Sequence, residues 1–270
     1  IDSEQRKGIN LILDAKEKGQ KGFLLGDGTG VGKTRQMILA GYKIAQKSGK
    51  PALIIVPNQT IISGSWTKDS KALGIDIKDK SLFELGTYRD LTSGKIGDLI
   101  GIKGEEGVWQ VVDRSGDTYR VQNSKGVGKE VSKSQTEAAY SVIIFDEAHY
   151  LKNVDSQRAI AGKNIPADFQ IFATATPLDR GTGAAYFISE VTGRKIEDVY
   201  DELGYVAIAR TTSGGKEFIQ LQMKEGMTPE LLVENLGNLR KEVFGLGLGI
   251  RRAYPPWGKM VEENFRFEPE

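Results

Sequence analysis

Five short apolar runs punctuate the chain: Phe23–Leu25, Ala52–Val56, Leu82–Leu85, Val142–Phe145 and Gln170–Ala173. Each is bounded by turn-forming or charged residues and lacks polar alternation. That is the pattern of strands buried on both faces of a parallel sheet. Between the first two runs, Met37, Ile38, Gly41, Tyr42 and Ala45 recur at helical spacing within Thr34–Gln46, and Lys47–Gly49 followed by Pro51 supplies a stop. Strand, helix and strand in succession predict an α/β layer fold with right-handed crossovers.

The stretch from Ile102 to Ser134 breaks this rhythm. Apolar and polar residues alternate through Val108-Trp-Gln-Val-Val, a Ser-Gly-Asp turn follows, and Thr118-Tyr-Arg-Val-Gln and Lys129-Glu-Val-Ser repeat the alternation. Short antiparallel hairpins are predicted, forming a small SH3-like β module inserted into the α/β domain. After residue 190 the pattern changes again. Ile196–Leu203 reads as a helix, and Val206–Ala209 and Phe218–Gln222 read as strands. Thr228 is an N-cap before Pro229 at the first helical position, opening a helix to about Phe244. The tail around Tyr254-Pro-Pro-Trp257 is expected to hold little regular structure. The expected organisation is therefore an α/β lobe in two parts, 1–101 and 136–190, interrupted by a β module at 102–135 and followed by a mixed extension over 191–270.

Composition narrows the chemistry. The chain has 270 residues, no cysteine, one histidine and a net charge of +1. A disulfide scaffold, a thiolate metal centre and a histidine-rich zinc site are excluded. No apolar run approaches the ~18 residues of a membrane span, and no signal peptide opens the chain. The near-neutral balance leaves room for a local basic stripe. A start at Ile1 and a stop at Glu-Pro-Glu read as a piece cut from a longer chain.

Asp27-Gly-Thr-Gly-Val-Gly-Lys-Thr34 follows a predicted strand and opens a predicted helix. Gly28, Gly30 and Gly32 permit a tight path, so that the amides of Gly28, Thr29, Gly30, Val31 and Gly32 can converge on an anionic phosphate at the positive helix end. Lys33 is placed to reach β- and γ-phosphates, the Thr34 hydroxyl to bind Mg²⁺, and Arg35 to follow in the first helical turn. The strict pattern wants glycine at position 27, where this chain has Asp27.

Val142-Ile-Ile-Phe-Asp-Glu-Ala-His149 is an apolar strand ending in two carboxylates, where a parallel sheet receives its ligands. Asp146 is assigned to Mg²⁺ and Glu147 to orienting and polarising the attacking water. His149 is assigned either to sensing the γ-phosphate or bridging to the next motif, or to an ordinary hydrogen bond. A third strand ends in Thr174-Ala-Thr-Pro177. Thr174 and Thr176 can bond the acidic pair and couple nucleotide state to motion, or satisfy their own backbone.

These three strand ends stand in the order of a superfamily 2 helicase or translocase. Asp27–Thr34 resembles motif I, Asp146-Glu-Ala-His149 is a DEAH box, and Thr174–Pro177 resembles motif III. Asp146–Asn153 and Thr174-Ala-Thr-Pro-Leu178 are similar to Swi/Snf-type remodellers, and Tyr205–Ser213 with Glu217-Phe218 to strawberry-notch-like helicases. The resemblance implies a RecA-like P-loop lobe that binds ATP and Mg²⁺, with Gln5 reading adenine. It implies that Pro57 and Asn58 (motif Ia) and Thr87 and Tyr88 (motif Ib) touch a nucleic-acid backbone, DNA ahead of RNA. It also implies a second RecA-like lobe in the same full-length chain, and a place in the cytoplasm, nucleoid or nucleus rather than outside the cell or in a membrane. No Gln-x-x-Gly-Arg-x-x-Arg stretch appears, and Arg251-Arg252 does not supply one, so the arginines of a second lobe are absent and the fragment alone is expected to be a poor ATPase.

Two readings stay open on the residues alone: a nucleic-acid motor, or a nucleotide-dependent switch whose β module recruits a partner. Within that module Trp109, Tyr119 and the lysines near 125–133 form either a stacking platform or a small barrel core with a basic rim. Tyr254, Trp257 and Phe265 are candidates for docking on a second lobe.

Overall fold

Asp2 opens the first helix, α1 (Ser3–Glu17), by accepting from the Gln5 amide at 2.7 Å. Gln5, Gly8, Ile9, Ile12 and Ala15 form its buried stripe. Strand β1 (Gly22–Leu25) follows, then helix α2 (Lys33–Ser48), which starts after Gly32 and ends at Gly49, both left-handed. β2 (Ala52–Val56) leads into α3 (Gln59–Ile61), a π-helical turn (Ile62–Trp66) and α4 (Thr67–Ala72). β3 (Phe83–Thr87) runs directly into α5 (Tyr88–Thr92). The computed structural model describes residues 1–28, 30–93, 95–96, 99–105, 108–123, 125–153, 156–176, 181–211, 215, 217–253 and 261–262.

Five antiparallel strands then interrupt the lobe: β4 (Leu99–Ile102), β5 (Trp109–Ser115), β6 (Thr118–Gln122), β7 (Gly128–Ser132) and β8 (Thr136–Ala138). Their order is β7-β6-β5-β4-β8: a four-strand meander, β4 to β7, after which a fifth strand, β8, follows a 3₁₀ turn and pairs with β4. Antiparallel pairing is as expected of the inserted β module, and the sheet begins at Leu99 and ends at Ala138, a little beyond 102–135 at each side. Its core is Ile100, Ile102, Trp109, Val111, Tyr119, Val121 and Val131. Trp109 and Tyr119 are therefore core residues. Each carries a cation on its ring, Lys129 over Trp109 and Arg114 over Tyr119. Both rings are packed into the core of this sheet.

The lobe resumes with β9 (Val142–Asp146), a 3₁₀ turn (Ala148–Leu151), α6 (Gln157–Lys163), β10 (Gln170–Ala173), α7 (Gly181–Thr192) and α8 (Ile196–Leu203). An antiparallel pair, β11 (Tyr205–Thr211) and β12 (Glu217–Met223), precedes α9 (Pro229–Gly245), whose first turn Thr228 caps. Short strands β13 (Gly249–Ile250), β14 (Arg252–Ala253) and β15 (Val261–Glu262) complete the described chain. The resemblance noted for Tyr205–Ser213 and Glu217-Phe218 falls partly, and the tail residues Tyr254, Trp257 and Phe265 fall wholly, outside the described residues or side chains.

The central sheet is parallel throughout, in the order β13-β1-β10-β9-β2-β3. Alternate strand residues enter opposite cores. Leu24, Phe172, Phe145 and Ile55 pack with α7, α8 and α9, whereas Leu25, Ala173, Ile144 and Ile54 pack with α1 and α2. Both faces are covered, which is why the strand runs carry no polar alternation. The stretch after residue 190, expected as a mixed extension, is built into the lobe: Val199, Leu203, Leu236, Leu239 and Val243 complete one core, and β13 extends the sheet beside β1.

Candidate nucleotide site

Leu25, Ala173 and Asp146 lie in one cross-strand row. The loop after β1, the threonines after β10 and the acidic pair after β9 therefore leave the sheet at one edge, its carboxyl edge, where open α/β sheets bind ligands. Gly30 and Gly32 hold φ values of 90° and 81°, which only glycine adopts without strain. The first turn of α2 carries no acidic side chain, leaving its positive end open to an anion. Lys33 Nζ donates to the carbonyls of Asp27 at 2.8 Å and Gly28 at 3.2 Å, so the ammonium lies folded over the loop. Thr34 follows at the start of α2, half-buried. Thr29 lies outside the described residues. Arg35 turns away from the loop and pairs with Asp69 of α4 at 2.9 Å.

Gln5 sits on this loop from α1. A Cβ added at Gly32 would meet Gln5 Nε2 at 2.2 Å. Nε2 donates to the Val31 carbonyl at 3.4 Å, while Oε1 is buried without a hydrogen-bond partner. A buried, unsatisfied acceptor beside a phosphate loop fits a ligand that brings a donor, as the exocyclic amine of adenine does.

Asp27, the departure from the strict loop pattern, faces inward. It is fully buried and accepts from Arg252 Nε at 3.0 Å, from Arg252 Nη2 and from Gln36 Nε2 at 3.1 Å. Arg252, also fully buried, further donates to Gln36 Oε1 at 2.8 Å and to the Glu4 carbonyl. Burial alone would lower its pKa; the hydrogen bond and charge of Asp27, with Glu4, more than reverse this and raise it. The Gly28 amide donates to the Arg252 carbonyl at 2.6 Å. Residue 27 is thus the inner anchor of the loop, a place where glycine would remove the closest carboxylate from the guanidinium and leave it Glu4 at 3.5 Å. Sequence reasoning missed Arg252 and Gln36, and no local pattern marks them: Arg252 and Asp27 are 225 positions apart.

Asp146 is 8% exposed. Its Oδ2 accepts from the Trp66 indole at 3.0 Å and its Oδ1 from the Glu147 amide at 3.0 Å. Burial raises its pKa, and the neighbouring Glu147 adds to this; the Trp66 and backbone hydrogen bonds and Lys33 oppose it. A buried carboxylate within the field of Lys33, at the sheet edge where the phosphate loop also ends, fits a divalent cation. Among the described residues no group of three or more His, Cys, Asp or Glu is placed to hold a metal ion.

Glu147 is, among the described residues, the one non-glycine with positive φ, at 50°. Such strain concentrates at functional sites, and here it turns the carboxylate out of the strand. Its Oε2 lies 3.2 Å from His149 Nδ1. His149 stacks on Tyr150 at 4.6 Å, and Tyr150 meets Tyr88 at 5.3 Å. The DEAH-box histidine is thus engaged by its own glutamate.

The threonines after β10 take the second of their two readings. Thr174 Oγ1 accepts from the Thr176 amide at 3.2 Å, the local turn of a strand end, and among the described residues neither hydroxyl bonds Asp146 or Glu147. Pro177 lies outside the described residues. Thr87 and Tyr88 are buried: Thr87 caps α5 through Asp90, and the Tyr88 hydroxyl donates to the Asp146 carbonyl at 3.0 Å. Burial pushes the Tyr88 phenol well up, with the charges of Asp146 and Glu147 adding to it. These two side chains support the acidic strand end instead of facing a nucleic acid. Asn58 is exposed and caps α3 by accepting from the Ile61 amide at 3.1 Å, and Pro57 precedes it half-buried.

Residues 1–179 match the family model of the type III restriction enzyme, res subunit. The chain belongs to this res-subunit family, and it is the N-terminal lobe type of a superfamily 2 helicase. Among curated relatives, it is 28% identical over 186 residues to the ATP-dependent helicase fft1 of Schizosaccharomyces pombe, covering 66% of this chain and 17% of that protein. It is 26% identical over 234 residues to the ATP-dependent helicase FUN30 of Saccharomyces cerevisiae, covering 83% of this chain and 19% of that protein. The chain therefore spans less than a fifth of these relatives. The solved structure of the Sulfolobus solfataricus SWI2/SNF2 ATPase core in complex with dsDNA aligns with a TM-score of 0.56 at 16% identity, over 93% of this chain and 44% of that one. That likeness carries the α/β fold of this res-subunit lobe. No helix among the described residues is long and apolar enough to cross a membrane.

Proposed function

We propose that this chain is the ATP-binding lobe of a nucleic-acid-driven motor ATPase that hydrolyses ATP with Mg²⁺ and moves on DNA, together with a second RecA-like lobe. The observation that carries the reading is the row Leu25–Ala173–Asp146, which brings the phosphate loop and the acidic pair to one sheet edge under the unsatisfied Gln5 acceptor. The names of the relatives, helicases and a chromatin-remodelling protein, support a motor rather than a passive switch, and support work where DNA is kept, in nucleus, nucleoid or cytoplasm.

Lys33 exchanges the Asp27 and Gly28 carbonyls for β- and γ-phosphate oxygens when the nucleotide enters. Thr34 and Asp146 would hold Mg²⁺, which would supply charge neutralisation for the transferred phosphoryl group. Glu147 orients the attacking water and takes its proton. Gln5 accepts from the adenine amine. Asn58 and Pro57 face the nucleic-acid backbone.

In the full-length protein, duplex DNA should raise ATP turnover, and the stimulation should fall steeply with added salt, because phosphate contacts release counterions. Equal turnover with and without DNA or RNA at low salt would overturn the motor reading. A second expected result concerns Gln5. In Gln5→Ala the preference for ATP over GTP should fall by about tenfold, the effect of one hydrogen bond to a buried group. Competition binding of the two nucleotides measures it.

A further inference from the structure

Trp66 ends a π-helical turn and is the largest fully buried side chain among the described residues. An indole N–H can only donate, and once buried it needs an acceptor. The acceptor it finds is Asp146 Oδ2, 3.0 Å away and 80 residues along the chain. With the Glu147 amide on Oδ1, both oxygens are held and the plane of the carboxyl group is set, while each oxygen keeps a further lone pair.

The backbone around Trp66 is built for this contact. α3 and α4 are ordinary α-helix, but Ile62–Trp66 is wound wider, and Thr67 Oγ1 bonds the Ile62 carbonyl at 2.7 Å. One residue in an α-helix turns about 100°. Inserting one within the wider turn rotates every later side chain about the helix axis, and such turns occur mostly at functional sites. On this short segment Ser63, Gly64 and Ser65 are exposed while Trp66 is buried. Three residues later Asp69 pairs with Arg35, just after the phosphate loop. The same piece of chain thus grips the lysine-bearing helix and the acidic strand end, and continues from the exposed Asn58.

We propose that Trp66 is a positioning residue that orients the Asp146 carboxylate toward Mg²⁺. The proposal rests on the reading of Asp146 as the metal ligand. Groups that orient a metal ligand typically set metal affinity by 10- to 100-fold. A tryptophan that merely filled the core would leave metal affinity unchanged once a ring of similar bulk replaced it.

The test is the Mg²⁺ concentration at half-saturation for binding of a fluorescent ATP analogue to the full-length protein. In Trp66→Phe, which keeps an aromatic ring and removes the donor, the midpoint should rise tenfold or more, while nucleotide affinity in EDTA stays as in wild type. Asp146→Asn serves as the separating arm. If Asp146→Asn leaves the midpoint unmoved, the assignment of Asp146 fails. If Asp146→Asn moves it and Trp66→Phe does not, the positioning role alone fails. Should Trp66→Phe not fold, the wild-type protein decides. Its Trp66 indole N–H resonance, assigned by replacing other tryptophans, should shift when Mg²⁺ joins bound nucleotide, and a resonance indifferent to Mg²⁺ overturns the proposal.

Discussion

Glu147→Gln in the full-length protein should retain ATP and lose turnover by roughly 10²- to 10⁴-fold, the usual contribution of a positioned general base. Glutamine keeps the size and the hydrogen-bonding reach of the side chain and removes its basicity. The backbone of residue 147 already sits at φ 50°, a conformation set by the strand end and not by the charge. The metal carboxylate, Asp146, is untouched, so Mg²⁺·ATP affinity should change little. Lys33→Ala should do the reverse: it removes the ammonium now lying on the loop carbonyls, and nucleotide affinity itself should collapse. Equilibrium binding and single-turnover hydrolysis separate the two variants. Full turnover in Glu147→Gln would remove Glu147 from the role of base, and an unaltered ATP affinity in Lys33→Ala would remove the phosphate loop from the reading.

His149 bears on the base as well. Its Nδ1 is 3.2 Å from the Glu147 carboxylate and its ring is stacked on Tyr150. Glu147 must leave or share that partner when it takes a water. The contact chain from His149 through Tyr150 to Tyr88, which donates to the Asp146 carbonyl, ties the DEAH turn to the end of β3. Tyr88 therefore acts on this site from beneath, a role opposite in direction to the nucleic-acid contact its motif suggests.

How much the sequence discloses depends on how far apart the cooperating residues lie. Ala52–Val56 and Gln170–Ala173 are legible to the residue, because a strand buried on both faces is apolar along its buried length. The phosphate loop and the acidic pair are legible because each is contiguous and each sits where a strand ends. Helix α1 is harder: its buried stripe includes Gln5 and Gly8, which no apolar pattern flags. Gly8 is small because the Gln36 and Arg252 side chains lie against it. β13 contributes two residues to the sheet, too few for any periodicity. Trp66 and Arg252 reach their carboxylates across 80 and 225 positions, and such pairings exist only once the chain is folded. The oddity at position 27 is visible in the sequence, but its cause lies at position 252.

That cause makes the second large prediction one of stability. Arg252 and Asp27 are both fully buried and share two hydrogen bonds, with Gln36 bridging them. Removing one partner of such a pair leaves an uncompensated charge in the interior and costs about 3–5 kcal/mol. Arg252→Met should therefore lower the melting temperature by roughly 6–20 °C, taking about 2–4 °C per kcal/mol for a chain of this size. It should also loosen the loop, since Arg252 joins α1, by way of the Glu4 carbonyl, to the inner anchor of the phosphate loop. Asp27→Asn combined with Arg252→Met removes the stranded charge and should recover part of the loss, so that the double variant melts above Arg252→Met alone. Thermal unfolding of wild type, Arg252→Met, Asp27→Asn and the double variant checks this. Additive losses in the double variant would mean that the two residues act independently, and that the departure at Asp27 has some other origin than a guanidinium to neutralise.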